Sequence, residues 1–153
     1  MNQKICIQPL TEISYQQWMP LWEAYQSFYA VQLSDEINQS TWQRLSQPKY
    51  EQMYGFAALI NQEVVGIVHV VEHESCWTIQ PYAYLQDLYT VENLRGRGIA
   101  RQLIEQVRIY TQQRQCDRVY WLTHQNNQIA QQLYDRVAKK NRFYTVPNGL
   151  SLA

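Results

Sequence analysis

The chain has 153 residues, of which 46% are hydrophobic and 17% are charged, a composition typical of one packed domain spanning 1–153. Thirteen basic and thirteen acidic residues give a formal net charge of zero, which argues against a nucleic-acid partner. No apolar run reaches the length that crosses a bilayer, and MNQKICIQPL lacks a signal-peptide core, so no membrane association is expected. The three cysteines are odd in number and widely spaced, which favours a reduced, cytoplasmic setting over a disulfide framework.

The first half of the chain predicts a strand, two helices and a hairpin. KICIQPL (4–10) alternates apolar and polar residues, as a short strand does. Aromatic residues with spacings of four, three and four then predict a helix; they are Trp18, Trp22, Tyr25 and Tyr29. Residues 35–46 predict a second helix. MYGFAALI (53–60) and VVGIVHVV (64–71) are joined by Asn-Gln-Glu and predict an antiparallel hairpin.

The second half predicts alternating strands and helices. YAYLQDLYTV (82–91) and RVYWLT (118–123) have strand patterns, and RFYTV (142–146) supplies a last strand. Apolar residues at helical spacing predict helices over 98–113 and 127–139. The order β-α-α-β-β-β-α-β-α-β predicts an α/β fold, a mixed sheet with helices on both faces.

A positive turn lies between the strand at 82–91 and the helix that follows it. Three arginines and two glycines fall within residues 95–101, directly before the helical pattern. The first turn of a helix exposes unpaired N–H groups and carries partial positive charge, so it attracts anions. Gly96 and Gly98 remove side chains that would keep an anion away, and Arg95, Arg97 and Arg101 add charge. A solvated basic turn is the plain alternative.

Two phosphate-binding motifs can be compared with these letters. A Walker P-loop requires Gly-x-x-x-x-Gly-Lys-Ser/Thr, which the sequence lacks. A Rossmann fingerprint requires Gly or Ala where Arg101 stands and an acidic residue ending the next strand, whereas Asp117 precedes that strand. Neither motif fits the turn.

The hexapeptide at 95–100, with its Arg95, Gly98, Ile99 and Ala100, resembles the Arg/Gln-x-x-Gly-x-Gly/Ala motif of the GNAT superfamily of N-acetyltransferases. It follows a strand and opens a helix, as the resemblance requires. Downstream, Asn127-x-x-Ala130-x-x-Leu133-Tyr134 resembles the second motif of that superfamily. The resemblance covers the order of elements from about residue 4 to 146. The sequence of these motifs is most similar to that of a subgroup acting on polyamines, histone tails or small amino compounds.

The resemblance implies acetyl-CoA as co-substrate and an acetyl-accepting amine. The residues of the 95–101 turn would hold the coenzyme pyrophosphate. A bulge in the fourth strand would free backbone N–H groups for the thioester and the pantetheine arm, which the resemblance assigns to Leu88, Tyr89 and Val91. Asn127 would hydrogen-bond the pantetheine, or serve only as a helix N-cap.

Acetyl transfer to an amine requires that the ammonium lose a proton and that the thiolate leave. The resemblance makes Tyr134 the general acid, although its apolar helix face also suits a core tyrosine. Related enzymes often have Glu-Asp where this chain has Gln86-Asp87. Gln86 cannot take a proton. Asp87 could act as the base, bind a cationic acceptor, or be an exposed structural carboxylate.

Histidines and aromatic residues complete the candidate set. His69 and His73 on one strand would lie about 13 Å apart, too far to share one ion, and no metal is expected. His73 could border the acceptor site. Tyr25 and Tyr29 could contact the acceptor because the first helices of this fold wall its pocket.

The sequence thus predicts an acetyl-CoA-dependent N-acetyltransferase that acts by direct transfer in a ternary complex. The acceptor is a small-molecule or peptide amine: a polyamine, an amino acid or a lysine side chain. The alternatives are an aminoglycoside-type acetyltransferase, a catalytically silent acyl-CoA-binding regulatory module and a nucleotide-binding protein. The oligomeric state stays open, with a homodimer as one candidate.

Overall fold

The computed structural model describes residues 3–123 and, as backbone, residues 143–147. In chain order these residues form β1 (Cys6–Pro9), α1 (Tyr15–Phe28), α2 (Asp35–Ser46), β2 (Met53–Ile60), β3 (Glu63–His73), β4 (Tyr82–Thr90), α3 (Ile99–Gln113), β5 (Arg118–Thr123) and β6 (Phe143–Pro147). One-turn 3-10 helices follow β1 and β4. The helix predicted over 127–139 lies outside the described residues.

The strands form one six-stranded sheet in the order β1-β2-β3-β4-β5-β6. Pairing is antiparallel from β1 to β4 and parallel from β4 to β6. The mixed α/β fold predicted from the sequence is therefore confirmed.

Helices cover both faces of the sheet because the strands alternate their side chains between two cores. On one face α1 and α2 bury a core built on Trp18, Trp22, Leu45, Ala57 and Ile67. On the other face α3 buries Leu103, Ile104 and Val107 against Ala58, Val68 and Val70. The neighbouring strand residues Ala57 and Ala58 thus belong to opposite cores, as a period of two requires.

Local sequence explains where the helices and the hairpin begin. Ser14 and Gln17 form a reciprocal capping box at the start of α1, and the Ser34 hydroxyl accepts the Ile37 N–H at the start of α2. Asn61 and Gln62 have φ values of 49° and 68°, and Ile60 pairs with Glu63. Two left-handed residues give the hairpin a turn whose twist matches that of its strands.

Pro20 lies in the second turn of α1. Within the part of the chain that the structure describes, no helix is both long and apolar enough to cross a membrane.

Candidate active site

A bulge in β4 sets the orientation of the residues that follow it. Leu85 pairs with Val70 and Asp87 pairs with His69, so Gln86 is an extra residue without a partner position on β3. Each residue after Gln86 therefore faces the side of the sheet opposite to that of an unbulged strand. Asp87 and Tyr89 consequently point to the α1 face, where Tyr89 joins the core of α1 and α2.

Backbone N–H groups beyond the bulge alternate between β3 and the opposite edge of β4. Val91 donates its N–H to the Val65 carbonyl at 2.9 Å, which orients Val91 toward β3. In an antiparallel ladder this orientation alternates by residue, so Tyr89 also faces β3, while Leu88 and Thr90 face away. The Thr90 carbonyl accepts a hydrogen bond from the Arg95 Nε at 3.2 Å, as this orientation requires.

The N–H groups of the three backbone positions named from the sequence point to different edges of β4. Leu88 presents its N–H to the far edge of β4, and its contact with the coenzyme stays a prediction. Tyr89 and Val91 do not fit the predicted role, because their N–H groups point into the ladder with β3. Thr90 was missed. Its side-chain oxygen is also buried without a hydrogen-bond partner among the described residues.

Among the described residues, no strand pairs with the edge of β4 that Leu88 and Thr90 face. The described ladder between β4 and β5 pairs Tyr82–Tyr84 with Arg118–Tyr120, at the start of both strands. Beyond Tyr84, β4 continues for six residues to Thr90 without this pairing, so the two strands separate. Strand separation leaves polar backbone groups that a bound molecule can satisfy.

The arginine-glycine turn follows the end of β4 and leads directly into α3. Gly96 and Gly98 have φ values of 80° and 81°, and a Cβ at either position would meet nothing within 4 Å. Gly98 is the N-cap of α3, so the first-turn N–H groups of Ile99, Ala100 and Arg101 lack partners one turn earlier. Ile99 itself is buried, whereas Arg97 and Arg101 are exposed at the turn.

Arg95 has a role in this turn that the sequence did not reveal. Its guanidinium lies 5.7 Å from the ring centroid of Phe28 and 5.6 Å from that of Tyr89. Together with the bond to the Thr90 carbonyl, these cation–π contacts tie the turn to the end of α1.

Asp87 precedes Leu88 on β4, and its carboxylate is held by a histidine. The Asp87 Oδ2 lies 2.9 Å from the His69 Nδ1, and the His69 Nε2 lies 2.9 Å from the Trp18 Nε1. The Asp87 side chain is 13% exposed and that of His69 is 3% exposed. The Asp87 Oδ1 makes no hydrogen bond among the described residues, which leaves it available to a ligand.

Tyrosines continue the same face of the sheet toward β5. Tyr84 and Tyr120 stack with their ring centroids 5.1 Å apart, and the Tyr120 hydroxyl lies 2.6 Å from the His73 Nε2. Burial raises the pKa of Tyr84, and the negative charge of Asp87 raises it further. Burial also raises the pKa of Tyr120, so both phenols stay protonated at neutral pH.

The predicted acceptor-contacting residues take different positions around Asp87. Tyr25 stacks on Trp22 and contacts Tyr89 edge-on at 6.4 Å, so it lies on the inner side of α1. Tyr29 caps the end of α1 and is 41% exposed. Gln86 is exposed at the bulge. Tyr134 and Asn127 lie outside the described residues, and the structure places neither of them.

Comparisons with known proteins agree with this architecture. The model of the acetyltransferase (GNAT) family matches residues 16–138. The D-amino-acid N-acetyltransferase HPA3 of Saccharomyces cerevisiae is 30% identical over 141 residues, which cover 91% of this chain and 87% of the yeast protein.

Two solved structures share the fold. An aminoglycoside acetyltransferase, meta-AAC0020, from an uncultured soil metagenomic sample, matches with a TM-score of 0.77 and 19% identity over 97% of each chain. Aminoglycoside N-acetyltransferase AAC(6')-Iy, solved in complex with CoA, matches with a TM-score of 0.77 and 15% identity over 95% of this chain and 94% of that one.

The family match assigns this fold to the acetyltransferases, a class of enzymes that uses acetyl-CoA. The chain belongs to the GNAT acetyltransferase family and is an N-acetyltransferase.

Proposed function

We propose that the protein transfers the acetyl group of acetyl-CoA to the primary amine of a small amino compound. Amino acids are the first acceptors to test, followed by polyamines and lysine side chains, because the yeast relative is a D-amino-acid N-acetyltransferase. One juxtaposition carries the proposal: the carboxylate of Asp87 and the outward N–H of Leu88 belong to consecutive residues. Neighbouring Cα atoms lie 3.8 Å apart, so the carboxylate and the N–H belong to the same short segment of β4.

The residues along β4 and α3 fit the coenzyme. Acetyl-CoA supplies the acetyl group as a thioester. The Leu88 and Thr90 N–H groups lie along the separated edge, in the position to hold the thioester and the pantetheine arm. The two left-handed glycines and the first turn of α3 suit the pyrophosphate, with Arg97 and Arg101 adding charge.

For Asp87 we propose binding of the acceptor ammonium as the main role. A carboxylate with one oxygen fixed and one oxygen available is suited to a charge-assisted hydrogen bond from a cation. Proton removal by the same oxygen is the second role, since the ammonium must become neutral before its nitrogen attacks.

Direct transfer in a ternary complex is supported by the positions of the cysteines. Cys116 is buried on the α3 face, and burial together with the Glu72 carboxylate raises its pKa to about 12. A thiol of that pKa is a poor nucleophile at neutral pH. Cys6 lies on β1, three strands from β4, and Cys76 lies in the loop before the start of β4, whereas Leu88 and Thr90 are at its end. A covalent acetyl-cysteine step therefore has no thiol at the site among these three. For Tyr134 we propose the role of proton donor to the thiolate, and for Asn127 a contact with the pantetheine arm. Both roles are proposed from the sequence.

Asp87→Asn tests the proposal, because it removes the charge and keeps the shape. We expect the KM for the amine to rise about tenfold or more while kcat changes little, since a charged hydrogen bond is worth about 1.5–3 kcal/mol. If Asp87 is instead the base, kcat/KM should fall most at low pH and recover as the pH approaches the pKa of the amine.

Gln86→Glu provides the control for the second role, because it places a proton acceptor one residue away. A faster reaction of Gln86→Glu in the Asp87→Asn background would identify proton removal as limiting. Unchanged KM and kcat in Asp87→Asn for every acceptor would remove Asp87 from the site.

A further inference from the structure

Trp18, His69 and Asp87 form a chain of side chains that connects α1, β3 and β4. The Trp18 Nε1 lies 2.9 Å from the His69 Nε2, and the His69 Nδ1 lies 2.9 Å from the Asp87 Oδ2. Trp18 has an exposed fraction of 0% and His69 of 2%. Water therefore does not compete for the two hydrogen bonds that His69 makes.

The chemistry of the indole fixes the direction of both hydrogen bonds. An indole nitrogen can only donate, so the His69 Nε2 must accept and carries no hydrogen. The single proton of the neutral imidazole then lies on Nδ1, from which it is donated to the Asp87 Oδ2. Trp18 thus selects the tautomer of His69 that binds the carboxylate.

We propose that Trp18 and His69 act as a clamp that positions the Asp87 carboxylate, so that Oδ1 alone meets the acceptor amine. His69 is a positioning residue in this proposal and does not transfer protons during the reaction. A proton arriving at Nε2 would face the Trp18 N–H, leaving two buried donors without an acceptor between them. The inference rests on the proposed function, because it assigns a task to the same carboxylate.

Two features of the strands make the clamp geometrically possible. The bulge at Gln86 brings Asp87 opposite His69 and onto its face of the sheet. On the other side of β3, Gly55 pairs with His69, and a Cβ there would lie 3.4 Å from the His69 Cδ2 and 2.3 Å from the Val68 carbonyl. The imidazole is therefore confined by β2, β4 and the Trp22 ring, whose centroid is 5.1 Å away.

A matched pair of substitutions separates the clamp from simple packing. His69→Asn places an amide near the position of Nδ1, where it can donate to Asp87, whereas His69→Gln places its amide near Nε2 and cannot. Both variants exchange the ring for a smaller amide, so a purely structural role of His69 predicts similar losses in both. The clamp predicts that His69→Gln raises the KM for the amine about tenfold, while His69→Asn stays within about threefold of the wild type.

Nitrogen-15 NMR of the histidine side chains gives a readout that does not depend on activity. In the wild-type protein His69 should show a protonated Nδ1 and an unprotonated Nε2 at neutral pH. Trp18→Phe keeps an aromatic ring and removes the donor, so we expect the fixed tautomer to be lost, with a second protonation state or tautomer in the spectrum.

The outcomes distinguish failure of the clamp from failure of the proposed function. A wild-type His69 that is protonated on Nε2 overturns the clamp whatever the kinetics show. Equal KM values for His69→Gln and His69→Asn, with a large effect of Asp87→Asn, overturn the clamp and leave the proposed function intact. No effect of Asp87→Asn on any acceptor overturns the role of Asp87 itself, and with it the task assigned to the clamp.

Discussion

Two glycines determine what the arginine-rich turn can bind. Gly96 and Gly98 both adopt left-handed backbone conformations, and a Cβ added at either position would meet no atom within 4 Å. Of the residues with a side chain, Asn and Asp tolerate this conformation best. The turn can therefore be altered in charge with little change of its backbone.

Gly98→Asp and Gly98→Asn form such a matched pair, because their side chains have the same shape. The carboxylate of Gly98→Asp would lie where we place the pyrophosphate, so acetyl-CoA affinity should fall more than about tenfold relative to Gly98→Asn, given the strength of like-charge repulsion at a few Å. Isothermal titration calorimetry measures both values. Equal affinities in the two variants would show that no phosphate binds at this turn.

The position of the arginine-glycine turn directly before α3 could be predicted from the sequence, because a helical pattern begins at once after it. That the turn binds an anion stays a prediction. The contact of His69 with Asp87 could not be predicted, because the resemblance implied a bulge in β4 without fixing the residue at which it lies. His69 was therefore considered only as a metal ligand, whereas in the structure it lies with Ile67 on the α1 face.

At the scale of elements, a second polar cluster joins the end of α3 to the sheet on the face away from Asp87. Glu72 of β3 accepts hydrogen bonds from Arg114 at 2.7 and 2.9 Å and from the Tyr54 hydroxyl at 2.7 Å. The Cys116 thiol is 3.2 Å from the same carboxylate. Burial raises the pKa of Glu72, but these hydrogen bonds outweigh it and lower the pKa below the ordinary 4.5.

This cluster predicts an acid-dependent part of the stability. Because the pKa of Glu72 is lower in the folded protein, its contribution is complete above the unfolded pKa and is lost as the pH falls through the folded pKa. Glu72→Gln should destabilise the protein by about 2–3 kcal/mol at pH 7, since it leaves Arg114 partly buried and unpaired. The difference from wild type should shrink below about pH 4.5.

Urea unfolding at several pH values measures this difference, and Glu105→Gln is its control. Glu105 pairs with Arg108 on the exposed side of α3 and is 51% exposed, so its loss should change the free energy of unfolding little. A pH-independent difference between wild type and Glu72→Gln would contradict the assigned pKa.

Elements themselves were predictable from hydrophobic periodicity. Residues 35–46, 53–60 and 118–123 were predicted with the bounds that the structure shows, because polar or turn-forming residues flank each of them. Strand β3 extends two residues beyond its prediction, to His73, since its last residues still pair with β4. Separation of β4 from β5 has no sequence signal, because it depends on where a parallel ladder ends.

At the scale of the whole molecule, we propose that the edge of β4 not paired with β5 brings an acetyl donor next to a carboxylate that binds an amine. On one face, α1 supplies aromatic side chains, among them Trp18 of the clamp. At the end of β4, the turn before α3 supplies the proposed anion-binding site. Family membership establishes the reaction class, and the arrangement of Asp87 and Leu88 supports the acceptor class.

The most direct test is thiol release from acetyl-CoA with a panel of amines, with each N-acetylated product identified by mass spectrometry. The panel should contain amino acids of both configurations, polyamines, a lysine peptide and aminoglycosides. We predict one thiol released for each acetylated amine, with amino acids or polyamines as the better acceptors and with aminoglycosides poorer. Binding of acetyl-CoA without thiol release for any amine would contradict the account and indicate a catalytically silent coenzyme-binding module.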